Sequence, residues 1–130
     1  HNHFTAFHWI DALLAGKANR AQRIMRQLEA EGVELVILAR TVQKELCQLL
    51  SMQQMLQSAP MGKVFDQFKV WQSKRPLYSA ALNRLKMSDL RRLIQLLAKI
   101  ELLVKTQYDE SSWPLLHQLS AEMCQPPMKH

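Results

Sequence analysis

The stretch that decides the fold runs from Glu34 to Leu56 and reads ELVILARTVQKELCQLLSMQQML. Its apolar residues recur every three or four positions, the spacing that puts side chains on one face of an α-helix. The resulting seam consists of Leu35, Leu38, Val42, Leu46 and Leu49. Further apolar residues widen this seam, so we predict one long helix that contacts neighbours on two sides.

Towards the N-terminus, glycines delimit two shorter amphipathic segments. We predict a first helix over Phe4–Ala15, with Thr5 as its N-cap and Gly16 as the residue that ends it. A second helix is predicted from Ala18 to Glu31, before Gly32. The very short link between the two predicts an antiparallel helical hairpin. The apolar stripe of the first helix is Phe7, Ile10, Leu13 and Leu14.

Towards the C-terminus, turn residues separate four more helical segments. They are predicted over about Met61–Phe68, Ser73–Leu85, Met87–Tyr108 and a last helix opened by Ser111-Ser112-Trp113-Pro114. Ser73 and Ser88 are candidate N-caps, and Pro76 suits a first turn because its missing N–H costs nothing there. The sequence therefore predicts an all-α fold: a single compact helical domain of about six or seven helices over residues 1–130.

The composition is that of one ordinary globular domain. Of 130 residues, 48% are hydrophobic and 22% are charged, values normal for a soluble protein. The two cysteines, Cys47 and Cys124, are far apart and are predicted to be small core residues in a reducing cytosol. No signal peptide or membrane-spanning run is recognisable, so we expect a cytoplasmic location and no membrane partner. The start at His1 rather than Met indicates a fragment of a longer protein.

The basic residues are concentrated between Met61 and Arg92. This window holds eight Lys and Arg residues against two Asp residues, a net +6 that equals the formal net charge of the whole chain. Phe65, Phe68 and Trp71 stand three positions apart inside it. Such a bias permits an acidic partner such as nucleic acid, although a basic domain without that role is about equally compatible with it.

Catalytic and metal-binding patterns are not recognisable. Three scattered glycines cannot build a phosphate-binding loop. His1, His3 and His8 lack the i, i+4 spacing of a helical metal pair, and no cysteine lies near them. The carboxylates are spread along the chain without an adjacent base or nucleophile. We therefore expect no catalytic site, no metal and no cofactor in this chain.

Several strings resemble a known family over nearly the whole chain. They include HFTAFHWIDALL at positions 3–14, RTVQKEL at 40–46, VWQ at 70–72 and ALNRL at 81–85. These strings are similar to the third, C-terminal domain of the delta subunit of the bacterial DNA polymerase III clamp loader. The chain departs from the family pattern at Ala6, where the family has proline, and in its short tail after Pro126.

The resemblance implies a collar domain that acts in oligomerisation. In the family, such C-terminal domains associate into a pentameric ring, with gamma/tau and delta-prime subunits as neighbours. The ring loads the sliding clamp onto primed DNA during replication. The N-terminal AAA+-like and lid domains, the first of which contacts the clamp, would be absent from this chain. The delta subunit is not an ATPase, so the resemblance implies an accessory, non-catalytic role.

The resemblance also implies a secondary contact with the template strand of primer–template DNA. The family presents aromatic residues to that strand, and the matching positions are Trp71 and Tyr108. Lys74 and Arg75 lie close to Trp71 and are candidates for phosphate contacts. An aromatic face can stack on any base, but Trp and Tyr near helix ends are also common as half-buried packing residues. Phe65 and Phe68 are predicted to pack under the short helix.

Two other functions stay open at this point. The first is a free-standing basic helical module whose main role is to bind nucleic acid. The second is a regulatory adaptor that uses an apolar groove. A dedicated nucleic-acid module would hold DNA without partner proteins at physiological salt, whereas a collar domain would bind DNA poorly when alone.

Overall fold

The computed structural model describes residues 3–107 and 109–126, and all regular structure within these ranges is helical. The seven α-helices there are α1 (Ala6–Ala15), α2 (Ala18–Ala30), α3 (Leu35–Leu56), α4 (Met61–Gln67), α5 (Arg75–Arg84), α6 (Met87–Thr106) and α7 (Trp113–Cys124). A short 3-10 turn, Gln72–Lys74, precedes α5. The predicted all-α fold class and number of helices are confirmed.

The long helices α3 and α6 form the central pair of the fold. The predicted seam of α3 is buried along its length, from Leu35 to Leu49. On α6, the residues that meet the core are Leu90, Leu93, Leu97 and Ile100. Full burial of one such side chain stabilises the fold by about 1.5–3 kcal/mol, so this pair supplies much of the hydrophobic stabilisation.

Helix α1 packs on α2, α5 and α7 and has well-formed ends. At its start the Thr5 hydroxyl accepts from the His8 N–H at 3.4 Å, and the Thr5 N–H donates to His8 Nδ1 at 2.9 Å. At its end Gly16 adopts φ 78°, the left-handed conformation that glycine tolerates best. The predicted cap and the predicted stop of α1 are confirmed.

The serine caps predicted for α5 and α6 are wrong. Ser73 lies inside the 3-10 turn, so α5 begins at Arg75, with Pro76 in its first turn as expected. Ser88 lies one residue inside α6, whose first turn is instead closed by Asp89: its carboxylate accepts from the Lys86 N–H at 2.9 Å. A carboxylate at this position also complements the positive end of the helix dipole, which explains why it takes the capping role.

The prediction for the cysteines is half right. Cys124 is buried at the end of α7, but Cys47 is exposed on α3. Cys47 directly follows the seam residue Leu46, and one step along a helix turns the side chain by about 100°. Within the described ranges, no helix has the length and apolarity needed to cross a membrane.

Candidate functional site

Trp71 lies in the connection between α4 and α5, and local backbone geometry places it there. The Lys69 N–H donates to the Asp66 carbonyl at 3.1 Å and the Val70 N–H to the Phe65 carbonyl at 2.9 Å. Lys69 itself has φ 56°. This pair of bonds around a left-handed residue is the Schellman ending of a helix, which reverses the chain sharply.

The residues around Trp71 hold the connection in place while Trp71 itself projects outward. Phe65 and Val70 are buried, whereas 75% of the Trp71 side chain is exposed. Phe68 is partly buried against the core, so the predicted packing role of Phe65 and Phe68 is confirmed. Tryptophan is on average strongly buried, so an indole this exposed on an anchored loop is a candidate binding residue.

Both predicted phosphate contacts, Lys74 and Arg75, have carboxylate partners. Lys74 Nζ lies 2.8 Å from Asp11 Oδ2, and Arg75 Nη2 lies 3.0 Å from Asp66 Oδ1. Arg75 Nε also donates to the Val70 carbonyl at 2.9 Å. Arg75 therefore helps to hold the loop that carries Trp71, and phosphate binding by Lys74 and Arg75 stays a prediction.

Trp71 forms one wall of a groove of about 420 Å³, here called the aromatic groove. Its lining residues are Phe7, Ile10, Asp11, Leu14, Glu45, Trp71, Lys74 and Tyr78. Phe7 is 74% exposed, so its prediction as part of the core stripe of α1 is wrong. It lies in the first turn of α1, where it lines this groove instead of entering the core as Ile10 does.

A second hollow, of about 190 Å³, lies next to the aromatic groove and is here called the basic hollow. The two share Trp71, Lys74 and Tyr78. The basic hollow is further lined by Gln48, Phe68, Lys69 and Val70. Among the residues that the structure describes, no carboxylate forms an ion pair with Lys69. Lys69 was not singled out from the sequence, where it is one of eight basic residues in the window.

The two carboxylates of the aromatic groove are each bound by a donor. Asp11 accepts from Lys74, and Glu45 Oε1 accepts from the Tyr78 hydroxyl at 2.7 Å. Burial raises the pKa of the Tyr78 hydroxyl well above its ordinary value, and the hydrogen bond to the Glu45 carboxylate raises it further. Tyr78 therefore stays a protonated donor at any physiological pH.

The basic window of the sequence does not become one basic surface. Arg84 is half-buried and donates to the carbonyls of Leu13, Leu14 and Met123 at 2.9–3.2 Å. Arg92 pairs with Asp89 and Glu122. Both cations are engaged by groups of this chain, so the net charge of the window overstates the charge that is free to meet a partner.

The remaining predicted site residue, Tyr108, lies outside the described residues. Its contact with DNA stays a prediction. Within the described ranges, no group of three or more His, Cys, Asp and Glu side chains is arranged to hold a metal ion.

Comparison with known proteins adds an independent finding. Residues 6–130 match the family described as the processivity clamp loader gamma complex DNA pol III C-terminal domain. The chain is 45% identical over 126 residues to DNA polymerase III subunit delta of Escherichia coli (strain K12), which covers 97% of this chain and 37% of that protein. It is also 45% identical over 130 residues to the same subunit of Haemophilus influenzae, and this match covers 93% of this chain and 38% of that protein.

The chain thus spans a little over a third of the length of these relatives. The family match extends over nearly all of the chain, and it agrees with the strings that carried the resemblance. The resemblance is confirmed: this chain belongs to the family of C-terminal domains of the delta subunit of the DNA polymerase III clamp loader.

Proposed function

We propose that this chain is a collar domain, which joins a delta subunit to gamma/tau and delta-prime subunits in a pentameric clamp loader. The observation that carries the proposal is the family match over residues 6–130. Two large apolar side chains on the central helices are also exposed, Ile37 on α3 at 52% and Leu102 on α6 at 60%. Single exposed apolar residues are common on protein surfaces, so the proposal rests on the family match.

In this proposal the domain is an accessory module without a catalytic site of its own. It works in the bacterial cytoplasm, within the complex that loads the sliding clamp onto primed DNA. Contact with the clamp itself belongs to an N-terminal AAA+-like domain of the full subunit. No cofactor takes part in the role of the collar domain.

The proposal includes a secondary contact with the template strand through Trp71, Tyr108, Lys74 and Arg75. The exposure of Trp71 supports it, because a free indole face can stack on a base and contribute about 1–3 kcal/mol. The ion pairs of Lys74 and Arg75 do not exclude phosphate contacts. Partly exposed pairs contribute only about 0–1 kcal/mol, so a phosphate can compete with Asp11 and Asp66 for these cations.

The alternative is a free-standing basic module that binds nucleic acid as its main role. The contacts of Arg84 and Arg92 within the fold argue against it, because they engage two cations of the basic window with carbonyls and carboxylates of this chain. The two functions differ in one measurable property. A dedicated module binds primer–template DNA alone at physiological salt, whereas a collar domain does so only within the assembled complex.

Assembly is tested by co-purification of the full subunit with gamma/tau and delta-prime subunits. We expect a stable complex at micromolar concentration that is lost when this domain is deleted. Absence of any complex would contradict the collar function.

The DNA contact is tested with Trp71→Ala and Tyr108→Ala in the assembled complex, each expected to weaken primer–template binding about fivefold or more. Unchanged affinity in both variants would exclude the template contact.

A further inference from the structure

We propose that Phe7 and Trp71 form the two walls of a cleft for one unpaired base of a single-stranded nucleic acid, with Lys69 as the contact for its phosphate. This inference rests on the proposed template contact and extends it to two residues, Phe7 and Lys69, on other elements. It also fixes the orientation of the bound nucleotide, with the base towards α1 and the phosphate towards the end of α4.

The size and walls of the aromatic groove suit a single base. Phe7 and Trp71 are 74% and 75% exposed, and both line this one groove of about 420 Å³. Pockets for small molecules span roughly 300–1,000 Å³, so the groove has room for one base with its sugar but not for a duplex. The apolar residues Ile10 and Leu14 also line the groove, and both are almost fully buried, so the surface that a base would contact belongs mainly to Phe7 and Trp71.

The two hollows on either side of Trp71 match the two chemical halves of a nucleotide. The surface of the aromatic groove is mostly apolar, as are the faces of a base, while Lys69 lines only the basic hollow and Lys74 lines both. Trp71 belongs to both, so a base stacked on its groove side leaves the attached phosphate near the basic hollow. An apolar side chain of a protein partner could fill the aromatic groove, but it would make no favourable contact with the cations of the basic hollow.

Lys69 suits the phosphate contact better than its neighbours do. Within the described chain it has no carboxylate partner, whereas Lys74 pairs with Asp11 and Arg75 with Asp66. A phosphate at Lys69 therefore displaces water only and breaks no ion pair. The left-handed conformation of Lys69, at φ 56°, is fixed by the same two hydrogen bonds that hold Trp71 outward.

The carboxylates in the groove reinforce this orientation. Asp11 and Glu45 repel a phosphate from the groove, while their bonds to Lys74 and Tyr78 leave oxygen lone pairs free to accept from the amino group of a base. The protonated state of Tyr78 preserves this arrangement. The groove thus excludes the anionic half of a nucleotide and accepts the half that has aromatic faces and donors.

The test uses the clamp loader assembled from full-length subunits and primed DNA with 2-aminopurine at successive positions of the single-stranded template. Stacking quenches this fluorescent base, so the wild type should show added quenching at one position. Phe7→Ala and Trp71→Ala should each remove that quenching and weaken binding about fivefold or more. Phe7→Tyr, which keeps the ring, should retain both.

The lysine is tested through the salt dependence of the same binding reaction. Lys69→Gln should lower the slope of log affinity against log salt by about 0.7, the effect of one phosphate contact on a single strand. Lys63→Gln is the matched control, because Lys63 is exposed on α4 and lines neither hollow. Its slope should equal that of the wild type. Equal slopes for Lys69→Gln and the wild type would overturn the role of Lys69.

The outcomes separate this inference from the function on which it rests. If Trp71→Ala weakens DNA binding and Phe7→Ala does not, the two-walled cleft is overturned while the template contact stands. If neither variant changes DNA binding, the cleft is overturned and the template contact at Trp71 fails, while Tyr108→Ala tests the rest of that contact. If Phe7→Ala instead dissociates the complex, as measured by native mass spectrometry, the groove binds a protein side chain and the base-binding cleft is overturned.

Discussion

Arg84 and Lys69 come from the same basic window of the sequence and end in opposite environments. The Arg84 guanidinium is half-buried and donates to three main-chain carbonyls of other helices and to the Ala80 carbonyl of its own helix. Lys69 is exposed beside Trp71, and no described carboxylate pairs with it. One cation stabilises the fold, and the other is exposed to solvent.

The partners of Arg84 explain its position. Leu13 and Leu14 lie in the last turn of α1, and Met123 lies in the last turn of α7. Helix C-termini carry unpaired carbonyls and the negative end of the helix dipole, so a cation stabilises them. Burial lowers the pKa of the Arg84 guanidinium, but arginine starts so high that it stays charged. Arg84 thus ties α5 to the ends of two other helices.

The comparison shows that the net charge of a sequence window does not by itself predict a binding surface. The cations that are engaged within the fold must first be subtracted. A half-buried cation must have its donors satisfied, whereas an exposed cation is satisfied by water until a ligand arrives. Loss of Arg84 should therefore reduce stability, whereas loss of an exposed side chain such as Lys69 or Trp71 should reduce binding and leave stability nearly unchanged. Substitutions at Arg84 and in the connection that carries Trp71 test this distinction.

The largest expected effect is that of Arg84→Met, which keeps the apolar stem and removes the guanidinium. Three carbonyls lose their charged donor, so we expect the free energy of unfolding to fall by about 2–4 kcal/mol. Urea unfolding followed by circular dichroism measures it. Arg91→Met on the exposed side of α6 is the control and should stay within about 0.5 kcal/mol. Equal losses in both variants would contradict the capping role of Arg84.

A smaller effect is expected from Gly16→Ala, with Gly32→Ala as its match. Both glycines have positive φ, at 78° and 84°, so both substitutions impose backbone strain of about 1–2 kcal/mol. A Cβ on Gly16 would lie 2.8 Å from Arg84 Nη1, whereas one on Gly32 would meet nothing within 4 Å. We therefore expect Gly16→Ala to lower the free energy of unfolding by about 1 kcal/mol more than Gly32→Ala does, as measured by the same urea unfolding.

The extra cost of Gly16→Ala can be traced to Arg84 by a double-mutant cycle. In an Arg84→Met background, where the guanidinium is absent, Gly16→Ala should cost no more than Gly32→Ala. If the excess persists in that background, the contact between Gly16 and Arg84 is not its source.

The helices were predictable because their signal is repetitive. The seam from Leu35 to Leu49 repeats over four turns, so an error at one position does not change the interpretation. Caps depend on a single residue, and a shift of one position exchanges Ser88 for Asp89 as the group that closes α6. Local periodicity therefore predicts that an element exists better than it predicts how the element begins.

The candidate site was predictable only in part, because its residues are distant in sequence. Trp71 was found through a family resemblance, and its neighbours Lys74 and Arg75 by adjacency. Phe7 lies more than sixty positions away, and its helical spacing made it look like a core residue. The role of Arg84 rests on carbonyls about seventy residues away, which no local pattern can reveal.

Tyr78 lines the aromatic groove and donates to Glu45. The substitution Tyr78→Phe should lower the free energy of unfolding by about 1 kcal/mol near neutral pH, because Glu45 loses this donor. The folded pKa of Tyr78 is raised above its unfolded value near 10. Above that pH the unfolded chain releases the tyrosine proton and the folded chain retains it, so this contribution to stability falls as pH rises. The stability difference between wild type and Tyr78→Phe should therefore shrink from pH 8 to pH 11 in urea titrations. A difference that stays constant would contradict the raised pKa.

The smallest effect on stability is expected from Trp71→Ala, although it removes the largest side chain of the site. With 75% of Trp71 exposed, the ring contributes little to the core, and the free energy of unfolding should change by less than about 0.5 kcal/mol. Val70→Ala is the control from the adjacent position: Val70 is buried, and losing its two methyl groups should cost about 1–2 kcal/mol. A loss for Trp71→Ala as large as that for Val70→Ala would make Trp71 a packing residue. It would then be comparable to Arg84 rather than to Lys69, and weaker DNA binding by that variant could no longer be assigned to a missing stacking contact.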